Sequence, residues 1–97
     1  MARRSGLAEV ASDGVMFQDR YSCTAGLDDL DAHLTASRMY MPGITLTRVG
    51  DARQCQGAAL ADWEACDREG KAVGKGTNLF VLSPEGKIAR VVGFWAA

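Results

Sequence analysis

Three short apolar runs separated by tight turn clusters fill the second half of the chain: "GAALADWEAC", then "DREGK", "AVGKGTNLFVL", then "SPEGK", and finally "IARVVGFW". Connections this short cannot carry a chain back for parallel pairing, so each run must fold antiparallel against the one before it. A meandering sheet is therefore the frame into which everything else must fit. Alternation assigns its faces. Ala59, Ala61, Trp63 and Ala65 share one face of the first run, and Leu60, Asp62 and Glu64 share the other. In the simplest register Ala59, Ala61 and Trp63 lie beside Gly74, Gly76, Asn78 and Phe80 of the next run. Small residues around a few large ones leave room on that face, and glycines inside strands let a sheet curve. Asn78 needs hydrogen-bond partners wherever it is buried, and a pocket wall would supply them.

Upstream, "ITLTRV" predicts a further strand, with Gly50-Asp51 as a turn signal after it. "TAGLDDLDAHLTASRMYMPG" predicts the clearest helix. Leu27, Leu30, Leu34 and Met41 recur at helical spacing, Asp28 and Asp29 suit the positive end of the helix dipole, and Pro42-Gly43 ends it. Residues 4–12 suggest a short helix, Asp13-Gly14 a turn, and "VMFQDRYSC" a strand with Val15, Phe17, Asp19 and Tyr21 on one face. Helices followed by a run of strands predict an α+β fold with the sheet packed by N-terminal helices. Neither a linker nor an internal repeat divides the 97 residues, so residues 1–97 read as a single domain.

Composition narrows the function classes. Eleven basic and twelve acidic residues leave a net charge of -1, and no basic cluster exceeds Arg3-Arg4. No nucleic acid and no membrane is expected as a partner. The lack of a long apolar run or a leader-like start predicts a cytoplasmic protein. Cys23, Cys55 and Cys66 are odd in number and widely spaced, and there is one His. That pattern fits reduced thiols rather than a disulfide framework or a metal centre, and no cofactor is expected.

Chemistry-bearing residues are few. Asp19 is a candidate general base and His33 a candidate acid partner, although Asp19 would equally cap a turn and His33 sits at the edge of its apolar stripe. Tyr21 and Tyr40 are candidate hydrogen-bond donors to a ligand carbonyl. Cys66 lies between Glu64 and Asp67, the wrong setting for an activated thiolate. "GKAVGKGT" has strand rhythm with no helix behind it, so it is not a phosphate loop.

"DGVMFQDR", "GLDDLDAHLTASRMYMPG" and "WEACDREGKAVGKGTNLFVLSPEGKIARVVGFW", in that order, resemble the nuclear-transport-factor-2-like superfamily, particularly its SnoaL-like, polyketide-cyclase-like branch. The resemblance covers roughly residues 7–95. It implies a strongly curved antiparallel sheet forming a cone, an apolar pocket with a few polar groups, and frequent homodimers. Carried onto this chain, it places Phe17, Asp19, Trp63 and Asn78 in the pocket wall and Phe94 and Trp95 near its rim, and Tyr40 and Phe80 complete the candidate ligand-binding set. Two features depart from the pattern. The long first helix that closes the cone has little room before Val15, and Asn78 stands where related chains carry an acid. The expected function is binding of a small apolar molecule, preferably uncharged. The alternatives are a cofactor-free isomerase, cyclase or dehydratase, and a homo-oligomerising interaction module.

Overall fold

The structure, a computed structural model, describes residues 2–96, with side chains from residue 6. Helix α1 (Ala2–Val10) leads into strand β1 (Ala11–Gln18), short strand β2 (Cys23–Ala25) and helix α2 (Leu27–Tyr40). Strands β3 (Thr45–Cys55), β4 (Ala58–Cys66), β5 (Ala72–Leu82) and β6 (Ile88–Trp95) follow. All six strands form one curved sheet in the order β2-β1-β6-β5-β4-β3. The architecture is the α+β arrangement expected. β3 to β6 form the antiparallel meander, and β1 closes onto β6 in parallel, with Phe17 beside Val91. Two distant runs of equal polarity do not betray their pairing through local turn chemistry, so this contact is visible only in three dimensions.

The core lies where the helices meet β1. Ala11, Val15, Leu27 and Leu30 are buried there, with Leu7, Phe17, Leu34 and Ile88 packed around them. Burying a Leu fully is worth about 1.5–3 kcal/mol, so Leu27 and Leu30 anchor α2. Gly26 starts that helix with φ +90°, a conformation costly for any other residue, and its N–H donates to Val15 O at 2.8 Å. Met41 does not extend the apolar stripe as its spacing suggested. It lies just past the helix and is exposed, because Pro42-Gly43 turns the chain away.

Turns account for the other differences. Asp13-Gly14 stays within β1, where the extra length is absorbed by an irregularity between Ala11 and Met16. Gly50-Asp51 likewise does not end a strand: β3 continues through a bulge between Val49 and Arg53, with Gly50 at φ +72°. The β3–β4 hairpin turns instead at Gln56-Gly57, both with positive φ (43° and 85°), the backbone of a two-residue turn matched to strand twist.

The helices pack on β1 and β2 at one flank of the sheet. Beyond that flank the helix-side face continues across β6, β5 and β4 to β3, whose residues are all exposed. Among the described residues no helix is long and apolar enough to cross a membrane.

Candidate functional site

Register assigns the inner, helix-side face. Phe17 packs on the core and lies beside Val91, which lies beside Phe80, which lies beside Ala59. The next rows of that face pair Ala61 with Asn78 and Asn78 with Gly93, then Trp63 with Gly76 and Gly76 with Trp95. The expected β4–β5 register is thus the observed one. Phe17, Trp63, Asn78 and Phe80 come to one face of the sheet.

The glycines are seats for rings. A Cβ on Gly76 would sit 2.6 Å from the Trp63 ring and collide with Phe94 O, and one on Gly74 would lie 3.0 Å from the Trp95 ring. Gly93 leaves space for Asn78 Oδ1 (3.1 Å) and Asp19 Cβ (3.2 Å). Two indoles therefore tile the inner wall, 4.9 Å apart and nearly perpendicular (83°), the edge-to-face geometry that aromatic quadrupoles favour. Trp63 is buried to 9% residual exposure.

Trp63 Nε1 donates to Asn78 Oδ1 at 3.0 Å. An indole nitrogen can only donate, so the amide oxygen must face it and the amide NH2 is left to point elsewhere. Asn78 therefore keeps its amide NH2 as a donor that the indole does not use. At the end of β1 the strand alternation breaks. Asp19 Oδ1 accepts from the backbone N–H groups of Tyr21 (2.8 Å) and Ser22 (3.0 Å), and Asp19 N donates to Ser22 O. This turn lifts Arg20 out of the strand pattern. Its guanidinium lies 4.7 Å from the Trp95 ring and 5.0 Å from the Tyr21 ring, and it donates to Tyr21 Oη at 2.9 Å. Gln18, Asp19, Arg20, Val92, Gly93, Phe94 and Trp95 line an open cleft of about 330 Å³.

Other candidates fall elsewhere. Phe94 pairs with Thr77, one residue out of phase with Asn78, and so sits on the outer face, 57% exposed. Its neighbour Trp95 takes the inner position. Tyr40, at the end of α2, is 86% exposed and forms no part of this wall. His33 meets neither Asp19 nor the indoles: its Nδ1 lies 3.1 Å from Ser22 Oγ, and its ring is 4.9 Å from that of Phe17. Ser22 thus stands between the two acid–base candidates, touching Asp19 through its backbone and His33 through its hydroxyl. Thr24, beside Phe17 in register, has a buried hydroxyl with no partner among the described residues. Burial pushes the Cys66 thiol up, and Glu64, which accepts from it at 3.6 Å, adds to the effect, the opposite of what activates a thiolate. Among the described residues no three His, Cys, Asp or Glu side chains converge as a metal site would require.

Arg20, Ser22 and Arg48 escaped the sequence reading. Arg48 lies directly beside Trp63 on the inner face. Its place follows from the β3–β4 register, which the misassigned Gly50-Asp51 turn obscured. Strand alternation carried past Gln18 would put Arg20 on the face opposite Phe17. The double Asx turn at Asp19 is the signal that could have prevented this.

No family model matches the chain, and no curated protein matches it in sequence. Solved structures do match in shape. A candidate isomerase of the SnoaL-like family from Agrobacterium tumefaciens superposes with TM-score 0.95 at 24% identity, over 99% of this chain and 82% of the other. A candidate polyketide cyclase from Sinorhizobium meliloti gives TM-score 0.78 at 18% identity, over 92% and 79%. A protein of unknown function with the nuclear-transport-factor-2-like fold, from an Exiguobacterium species, gives 0.77 at 18% identity, over 98% and 89%.

Proposed function

We propose that this chain, which has the nuclear-transport-factor-2-like fold of SnoaL-like proteins, binds a small apolar molecule against the inner face of its sheet. The observation that carries the reading is the Trp63–Asn78 hydrogen bond inside a wall of Ala59, Ala61, Gly74, Gly76 and Gly93. Of the two perpendicular indoles, Trp63 is nearly covered and the half-buried Trp95 gives a ligand ring a surface to pack on. Asn78, whose oxygen is held by Trp63, has its amide NH2 left as a donor. A few fixed polar groups in an apolar wall are what a small-molecule site needs for orientation.

Both tryptophans belong to this wall, so intrinsic emission reports on it directly. Titrating the folded protein with a panel of ring-sized aromatic and terpenoid compounds should shift the emission saturably for at least one class. Unchanged emission across neutral and acidic members alike would refute ligand binding on this face.

The outer face supports a second reading, pairing of two copies. Val49, Leu60, Val73, Val81 and Phe94 are exposed there, and apolar patches of this kind generally find a cover. A homodimer through this face leaves the inner wall open, so the two readings are compatible. An enzymatic version of the first would run acid–base chemistry through His33 and Ser22, the pair that the fold brings within hydrogen-bond distance.

A further inference from the structure

We propose that the molecule held on the inner face carries a carboxylate, received by Arg20 beside Trp95, with Arg48 beside Trp63 adding a second positive charge to the same face. The inference rests on the binding function proposed above and adds the charge class of the ligand. It replaces the expectation of an uncharged ligand, which assumed that no cation faces the wall.

The charges of the two sheet faces are arranged differently. On the outer face Arg53 meets Asp62 at 3.3 Å, and Lys75 lies beside Glu64 in register. On the inner face none of the paired positions of β3 to β6 is Asp or Glu, yet Arg48 stands there beside Trp63. Among the described residues Arg48 has no carboxylate within ion-pair distance. Arg20 has none either: its guanidinium lies over the Trp95 and Tyr21 rings, and its hydrogen bond goes to the Tyr21 phenol. The nearby acid, Asp19, turns its Oδ1 to two backbone N–H groups of its own turn and makes no ion pair with Arg20 among the described residues.

A guanidinium has five N–H donors; Arg20 spends one from Nη2 on Tyr21 Oη and keeps others, which match a carboxylate. Asn78 on the same wall has its Oδ1 taken up by the Trp63 indole N–H, which leaves its amide NH2 as a further donor. A cation beside an indole, a second cation on the same face and an apolar floor suit a planar, ring-bearing acid lying against Trp95.

Calorimetric titration of the full chain at low salt tests this with matched probes: trans-cinnamate against trans-cinnamamide, and 2-naphthoate against 2-naphthamide. The carboxylates should bind at least about tenfold tighter than their amides, the scale of one charge-assisted hydrogen bond. Arg20→Gln and Arg48→Gln should each erode that preference, while Arg53→Gln on the outer face should leave it intact. Amides binding as tightly as acids to the wild-type protein would overturn the carboxylate inference and leave the binding function standing. Binding of neither class would overturn both. If an Arg variant fails to fold, salt decides with the wild-type protein alone. Raising sodium chloride should weaken carboxylate binding and spare the amides, and a carboxylate affinity indifferent to salt would overturn the inference.

Discussion

Trp63 donates its indole N–H to the Asn78 amide oxygen across the β4–β5 pair, two residues along β5 from the Gly76 on which its ring lies. The contact joins structure to function, because it satisfies a buried donor and at the same time fixes which end of the amide is left as a donor. Replacing Asn78 with Leu should orphan the indole N–H and cost about 1–3 kcal/mol of stability, read as a lower urea midpoint. Asn78→Asp retains an acceptor for the indole and should fold with a smaller loss near neutral pH, but its charge should oppose acidic ligands. Equal stability of wild type and Asn78→Leu would mean that the hydrogen bond contributes nothing.

Gly76→Ala probes the ring seat. The added methyl would meet both the Trp63 ring and the backbone oxygen of Phe94, and only the ring can move. Overpacking of this kind typically costs about 1–3 kcal/mol, and here it should also shift tryptophan emission toward that of a more solvated indole. Gly86→Ala is the control for backbone effects. It lies at a turn with positive φ but has nothing within contact distance, so its cost should come without an emission change. Unchanged emission in Gly76→Ala would show that Trp63 does not rest there.

Assembly is predicted through the outer face. Light scattering at about 10 µM, within the range of ordinary homodimer affinities, should give twice the 10.4 kDa chain mass. Phe94→Lys should return the chain to monomer while leaving Trp63 emission unchanged, since the two residues occupy opposite faces. A wild-type mass at the monomer value would contradict the dimer.

Acid should weaken the outer face of the sheet. Asp62 is held below the ordinary carboxylate range first by the Thr77 hydroxyl, which donates at 2.6 Å, and then by Arg53. A carboxyl lowered in the folded state contributes stability that is fully present above its unfolded value and is lost as pH falls through the folded value. The group is exposed, so the effect is small. Urea midpoints measured from about pH 5 down to about pH 2 should fall less steeply in Asp62→Asn than in wild type. Parallel slopes would remove Asp62 from the acid response.

What was legible from the residues follows from how local each determinant is. The β4–β5 register could be read because "DREGK" is a short, unambiguous turn and alternation runs cleanly on both sides of it. The β3–β4 hairpin was misread because Gly50-Asp51 has turn composition yet sits in a bulge, whereas Gln56-Gly57 adopts the turn. Phe94 and Trp95 were both placed at the rim, and only pairing with β5 separates them: Gly93 opposite Asn78 sends Trp95 inward and Phe94 outward. Arg20 was lost for a similar reason, since two backbone N–H groups captured by Asp19 end the strand one step earlier than alternation suggests. Core residues were easier. Leu27, Leu30 and Leu34 repeat at helical spacing, and burial follows from spacing alone.

The most direct test of the inner face as a binding wall is a heteronuclear NMR titration of the isotope-labelled chain with 2-naphthoate and 2-naphthamide. The indole N–H signals of Trp63 and Trp95 and the side-chain NH2 pair of Asn78 should shift together and saturate, while the backbone amides of Val49 and Val73 stay in place. Shifts confined to the outer face, or no saturable shift with either compound, would contradict the account.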